Sequence, residues 1–146
     1  MDKWKKYFSL TLRERLLFLQ LLLLLPLTNL ALKILGLKKL TEIASKFPTR
    51  RKQENSGPDA ANKARRLAYL VSAASRHGLY HATCLRQSLL IWWLLRWQGI
   101  HSKLQIGVKK DDDQVFAHAW VEVNDEVIND GDEVEQVFSP FDSLSL

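Results

Sequence analysis

The sequence predicts an α+β fold in which helices come first and an antiparallel sheet follows. Two observations carry this. Up to Gly99 the apolar residues form long leucine-rich runs punctuated by glycine and proline, and beyond it they form short runs that alternate with polar residues. With 146 residues, 47% of them hydrophobic and 25% charged, the chain is long enough to bury one modest core, and it contains no repeat, glycine-rich phosphate loop or low-complexity tract.

Residues 1–47 run leucine-rich from Trp4 through Leu16–Leu25 to Phe47, and Pro26, Thr28, Asn29 and Gly36 interrupt them, which predicts two or three short helices. Leu16 to Leu32 is 17 residues without a charge, at the short limit of a membrane span, which needs roughly 20. Gln20, Pro26, Thr28 and Asn29 interrupt that run, and Arg13, Arg15, Lys33, Lys38 and Lys39 flank both of its ends rather than one. No small-residue cleavage site follows it, so a signal peptide is not expected. The expectation is a soluble helical hairpin or partner-docking surface, with membrane association and a membrane span as the alternatives.

Residues 48–58 are polar, carry two prolines and a glycine, and read as a linker to a domain over 59–146. Asp59 is a candidate N-cap for a helix through Arg65, Leu67, Leu70, Val71 and Ala74 that Gly78 stops. A second helix starts near Thr83 or Cys84 and ends at Gly99. Its apolar residues, Leu85, Leu89 to Leu95 and Trp97, go nearly all the way round, the pattern of a helix buried mid-fold, and Trp92, Trp93 and Trp97 are expected to pack there. Strands are predicted over 104–108, 115–123 and 126–129, separated by turns at 109–113 and Asn124-Asp125. The middle strand alternates cleanly, with Ala117, Ala119, Val121 and Val123 on one face and Phe116, His118, Trp120 and Glu122 on the other.

The net charge of +5 hides a split. All 21 Lys and Arg and five of the 16 acids lie in residues 1–110, while residues 111–146 hold eleven acids and no base, giving about +16 and −11. A basic nucleic-acid binder with an acidic tail would show such a split, but the acidic part carries Val115, Phe116, Trp120, Val121, Val123, Val127 and Ile128 in strand pattern. The two parts are therefore expected to fold together and neutralise each other, and nucleic acid is not an expected partner. The single cysteine excludes internal disulfides and multi-cysteine clusters and suits a reducing, cytoplasmic compartment.

Cys84, His118 and Asp130 form the strongest chemical constellation. A thiol becomes a nucleophile when it ionises, and a helix N-terminus and a nearby imidazole both favour the thiolate. The imidazole in turn needs a group on its other nitrogen, and Asp130 can supply one across a hairpin. If Asn124-Asp125 closes a regular two-residue turn, Asp130 falls opposite Ala119 on the wrong face. The triad therefore predicts a three-residue loop or a one-residue bulge between His118 and Asp130. A small buried cysteine is the plain alternative. A zinc site of His77, His81, Cys84 and His118 is a weaker one, because Gly78 breaks the helix between the first two ligands. His77 reads instead as a dipole partner at a helix end, and His101 as a surface-loop residue.

The segments Tyr80-His-Ala-Thr-Cys-Leu-Arg-Gln-Ser-Leu-Leu, Gly99-Ile100, Leu104-Gln-Ile-Gly-Val108, Ala117-His-Ala-Trp-Val-Glu122 and Val127-Ile-Asn-Asp130 resemble the leader peptidases of bacterial lasso-peptide biosynthesis, transglutaminase-like cysteine proteases. The resemblance covers about residues 59–142, and the leucine-rich segment before it is similar too. It implies a papain/transglutaminase-like core with the nucleophile at the start of a buried helix packed on an antiparallel sheet. It also implies removal of a precursor's leader by Cys84, His118 and Asp130 without metal or cofactor. The implied partners are the precursor peptide, a separate leader-recognition protein, since residues 1–47 are too short and too helical to be one, and the macrolactam synthetase that uses the freed amine. The functional alternative is a non-catalytic membrane- or peptide-binding partner in a peptide maturation complex.

Overall fold

The computed structural model describes residues 11–47, 57–78, 82–131 and 133–140. Helix α1 (Leu12–Lys46) opens on a capping box, in which the Glu14 amide donates to the Thr11 hydroxyl while the Thr11 amide donates to the Glu14 carboxylate at 2.9 Å. The predicted breaks at Pro26, Thr28 and Asn29 do not occur. The helix runs through them because Phe18, Leu21 and Leu25 are anchored in the core, and that outweighs the one ladder bond that Pro26 removes. The only break is Gly36, at φ 73° and ψ 163°, a conformation open to glycine, so the segment is two helices, 12–35 and 37–46.

Residues 48–56 of the expected linker lie outside the described residues. Helix α2 (Pro58–His77) starts two residues earlier than the sequence suggests. Gly57 is the cap and Pro58 supplies a ready-made helical φ, while Asp59 sits in the first turn, 3.0 Å from Lys63. Helix α3 (Cys84–Trp97) buries Ser88 to Trp92, Leu94 and Leu95, as its all-round apolar pattern predicts. Trp97 departs from expectation: it lies on the last turn and is 43% exposed.

The sheet is antiparallel, with β3 (Glu126–Val127), β2 (Gln114–Val123), β1 (Lys103–Asp111) and β4 (Ser139–Pro140) side by side in that order. Strand β1 (Lys103–Asp111) pairs along its whole length with β2 (Gln114–Val123), from Lys103 opposite Glu122 to Asp111 opposite Gln114, so both strands outrun their predicted lengths. Strand β3 is only Glu126–Val127. A four-residue helix α4 (Val134–Val137) leads to β4 (Ser139–Pro140), which pairs beside Gly107 and Val108. Neither was predicted, since elements of four and two residues carry no readable periodicity.

The alternation on β2 divides the interior in two. Val121 and Val123 join Leu104, Ile128 and the three helices in one large core, whereas Trp120 packs on the opposite face with Val127, Val134 and Phe138. The basic and acidic parts of the chain also meet, through Arg65 to Glu126 at 2.6 Å and Lys103 to Asp125 at 3.1 Å.

Candidate active site

Asn124 and Asp125, at φ 54° and 61°, make a two-residue turn with Val123 opposite Glu126. The expected odd-length loop is therefore absent, and a regular continuation would turn Asp130 away from His118. Instead, the ladder ends early. The Ile128 amide still donates to the Val121 carbonyl at 2.9 Å, but the Val121 amide donates at 2.8 Å to the side-chain oxygen of Asn129. Asn129 Nδ2 donates in turn to Ser88 Oγ at 2.8 Å, and Ser88 Oγ donates to the Ala119 carbonyl at 2.9 Å. Two side chains thus complete the edge of β2 where β3 has stopped, meeting the requirement that buried backbone groups find partners. The main chain, freed from the ladder, bends through 128–130 and brings Asp130 Oδ2 into a hydrogen bond with His118 Nε2. The Gly131 amide donates to the other oxygen, Asp130 Oδ1, at 2.8 Å and fixes the carboxylate.

His118 is half-buried on a stack of aromatic rings. Its ring centroid lies 6.4 Å from that of Trp120 and 5.1 Å from that of Phe138. Trp120 is fully buried, and its indole N–H donates to Glu122 Oε1 at 2.8 Å, so the ring beneath His118 cannot turn without losing that bond. Gly107 is the residue opposite His118 on β1. A Cβ there would lie 2.8 Å from the Trp120 ring and 2.9 Å from Phe138 Cβ, so the absence of a side chain is what admits both rings.

Cys84 is the first residue of α3, a free and half-buried thiol. Thr83 caps the helix by backbone conformation alone, with no side-chain bond to the first-turn amides, and no acid lies in that turn to offset the positive end of the helix. The chain entering the helix is tied down by buried Ser75, whose hydroxyl accepts from the Ala82 amide at 2.9 Å, and by Gln87, which donates to the Ala82 carbonyl at 2.8 Å. The direction of α3 follows from its two ends. Ser88 meets Ala119, while Trp97 connects through residues 98–102 to Lys103, opposite Glu122. The helix therefore runs along β2 from the Ala119 end towards the Glu122 end. Cys84 lies one turn before Ser88 on the same face of the helix.

Of the three predicted site residues, His118 and Asp130 are in direct contact, and Cys84 begins the helix whose next turn is bonded to the residue after His118. Ser88, Asn129, Gly107 and Phe138 were not anticipated. Ser88 alone carried a signal, a polar residue one turn after the cysteine at the head of the apolar run Leu89–Leu95. Of the alternative zinc ligands, His77 ends α2 and is exposed, His81 lies outside the described residues, and the described residues hold no group of three or more metal-ligating side chains.

Compared with known proteins, residues 24–142 match the family model of the transglutaminase-like superfamily. No curated protein and no solved structure matches the chain.

Proposed function

The chain belongs to the transglutaminase-like superfamily, whose α+β fold is consistent with cysteine peptidase chemistry, and from that premise we propose that it is a cysteine peptidase that removes the leader from a ribosomal lasso-peptide precursor. The observation that carries the reading is the hydrogen bond between His118 and Asp130. A carboxylate accepts, so the shared proton belongs to Nε2, and Nδ1 is the nitrogen able to take a proton from the thiol. In this reading Cys84 Sγ gives its proton to His118 Nδ1 and attacks the scissile carbonyl. The C–N bond then breaks as His118 returns that proton to the departing amine of the core peptide. The leader is left as a thioester on Cys84, and His118 next takes a proton from water, whose oxygen displaces the thiolate. The Cys84 amide, at the positive end of the helix, is one donor for the oxyanion.

The substrate class rests on the resemblance of the Cys84, His118 and Asp130 segments to lasso-peptide leader peptidases. On that resemblance, a separate recognition protein delivers the leader, and the freed amine passes to a macrolactam synthetase. The test mixes the purified chain, a lasso precursor and its leader-recognition protein, and identifies products by mass spectrometry. Leader and core should appear as separate masses with the native chain and not with Cys84→Ala. Undiminished cleavage by Cys84→Ala would sink the reading, and binding of the precursor without cleavage by the native chain would favour a non-catalytic partner.

A further inference from the structure

We propose that the outer face of residues 12–35 docks in the plane of an anionic lipid bilayer. Leu16, Leu19, Leu23, Leu27, Leu30 and Ile34 recur every three or four residues and so share one narrow stripe, and each is more than half exposed. The opposite face of the same helix is anchored, with Phe18, Leu21 and Leu25 at 3%, 0% and 1% exposure. An 18-residue window of α1 has a mean hydropathy of 1.9, yet only 17% of it is buried, whereas a core helix of that hydropathy would be mostly enclosed. Scattered exposed leucines need no explanation, but a continuous stripe does.

Charge identifies the occupant. Between Glu14, which is bonded to Arg66, and Glu42 the chain has four basic residues and no acid, and Lys33, Lys38 and Lys39 are exposed at the end of the stripe. A helix seam for a second copy or a partner helix is ordinarily flanked by charges of both signs, which pair across it. A one-signed flank matches the anionic headgroups of a bilayer, where each nearby Lys or Arg adds attraction and long side chains reach from the apolar layer to the phosphates. The anchored face decides between lying on the bilayer and crossing it. Crossing would strip Phe18, Leu21 and Leu25 from the core, so the helix lies flat with only its leucine stripe in the lipid.

Flotation of the full chain with phosphatidylcholine vesicles, with and without a quarter phosphatidylglycerol, tests this. The native chain should float with the anionic vesicles, stay behind with neutral ones, and be released by high salt. Leu16→Gln/Leu23→Gln/Leu30→Gln, checked for an unchanged thermal midpoint, should bind about tenfold or more weakly, as loss of buried apolar area requires. Lys33→Glu/Lys38→Glu/Lys39→Glu, which touches no core residue, should lose the preference for anionic vesicles. Cys84→Ala should float like the native chain, which separates this proposal from the peptidase reading. Failure of the native chain to float would overturn it. So would equal binding by the leucine variant, resistance to alkaline carbonate extraction, which marks a spanning helix, or a concentration-dependent dimer that the leucine variant abolishes without any vesicle binding.

Discussion

The two faces of the sheet are built on different scales. On the helical side, Val121, Val123, Leu104 and Ile128 join a continuous core with α1, α2 and α3. On the other side, Trp120, Val127 and Val134 are buried with Phe138 against them, and this thin layer supports His118. Stability should therefore come chiefly from the helical side, and the positioning of the imidazole from the thin layer. A thin layer can still hold a ring accurately because each of its members is fixed individually: the Trp120 indole by Glu122, its room by Gly107, and Asp130 by the Gly131 amide. The contrast teaches that in this fold the residues that matter for geometry need not matter for stability, and substitutions on each face can break or sharpen that separation.

The largest effect is expected at the imidazole. Under the proposed leader cleavage, His118→Ala should lower the rate by about 10⁶-fold and Asp130→Asn by about 10⁴-fold, the scale seen when the base or the carboxylate of a nucleophile–base–carboxylate set is lost. Because both side chains lie at the edge of the thin layer, their thermal midpoints should stay near the native one. Unfolding of Asp130→Asn at a markedly lower temperature would show that the His118 contact is part of the architecture. Next in size is Leu95→Ala in the helical core. Leu95 is 0% exposed, and emptying its site should cost about 2–5 kcal/mol, measured by urea denaturation, with cleavage by the folded fraction little changed. A large loss of activity with normal stability would erase the distinction between the faces.

Gly107→Ala probes the boundary. The added methyl would press on the Trp120 ring and Phe138 from 2.8–2.9 Å, and the overpacking should cost about 1–3 kcal/mol. His118 rides on that ring, so cleavage should fall about tenfold through misplacement of the imidazole. The measurement is kcat at saturating precursor alongside a urea titration. Full activity at reduced stability would mean that the ring moves without carrying His118.

Much of this organisation was legible in the sequence, and the rest was hidden for identifiable reasons. The α+β class followed from the change of period at Gly99, and the faces of β2 from strict alternation between Phe116 and Val123. The fate of Pro26 could not be read, since a proline's effect depends on how firmly neighbours such as Leu21 and Leu25 are anchored, a tertiary quantity. Register arithmetic required an irregularity between His118 and Asp130 and offered a longer loop or a one-residue bulge for it. The irregularity lies instead at Asn129, where a side chain takes the place of a strand, and period-two patterns describe backbone pairing only. The exposed leucine stripe was visible as composition, but which of its faces is anchored became clear only from the packing of Phe18, Leu21 and Leu25.

The smallest expected effects are electrostatic, and they have opposite signs on the two faces. On the helical side, Glu14 accepts a hydrogen bond from Arg66 at 2.7 Å, and that bond, with the Thr11 amide, holds its carboxyl down at about 2, against an ordinary 4.5. A carboxyl lowered in the folded state stabilises above its unfolded value, and that contribution is lost as pH falls from about 4.5 towards 2. In the thin layer, Glu135 shares a hydrogen bond with Glu122, which raises its carboxyl above 4.5, and burial and the neighbouring charges of Glu122 and Asp125 push the same way. A carboxyl raised in the folded state holds its proton longer there than in the unfolded chain. Its stabilisation is complete below about 4.5 and is lost as pH rises through the raised value. Glu135→Gln should therefore raise the thermal midpoint at pH 7 and leave it nearly unchanged at pH 4, while Glu14→Gln should lower it at pH 7 and matter little near pH 2. Both groups sit near solvent, so each effect should be at most about 1 kcal/mol and shrink with salt. Thermal melts of the two variants across this pH range read both signs at once. A Glu135→Gln melt that falls at pH 7 would mean that the Glu122 carboxylate gains more from its neighbour than it loses to repulsion, and that the small layer under His118 is held by charge as well as by Trp120.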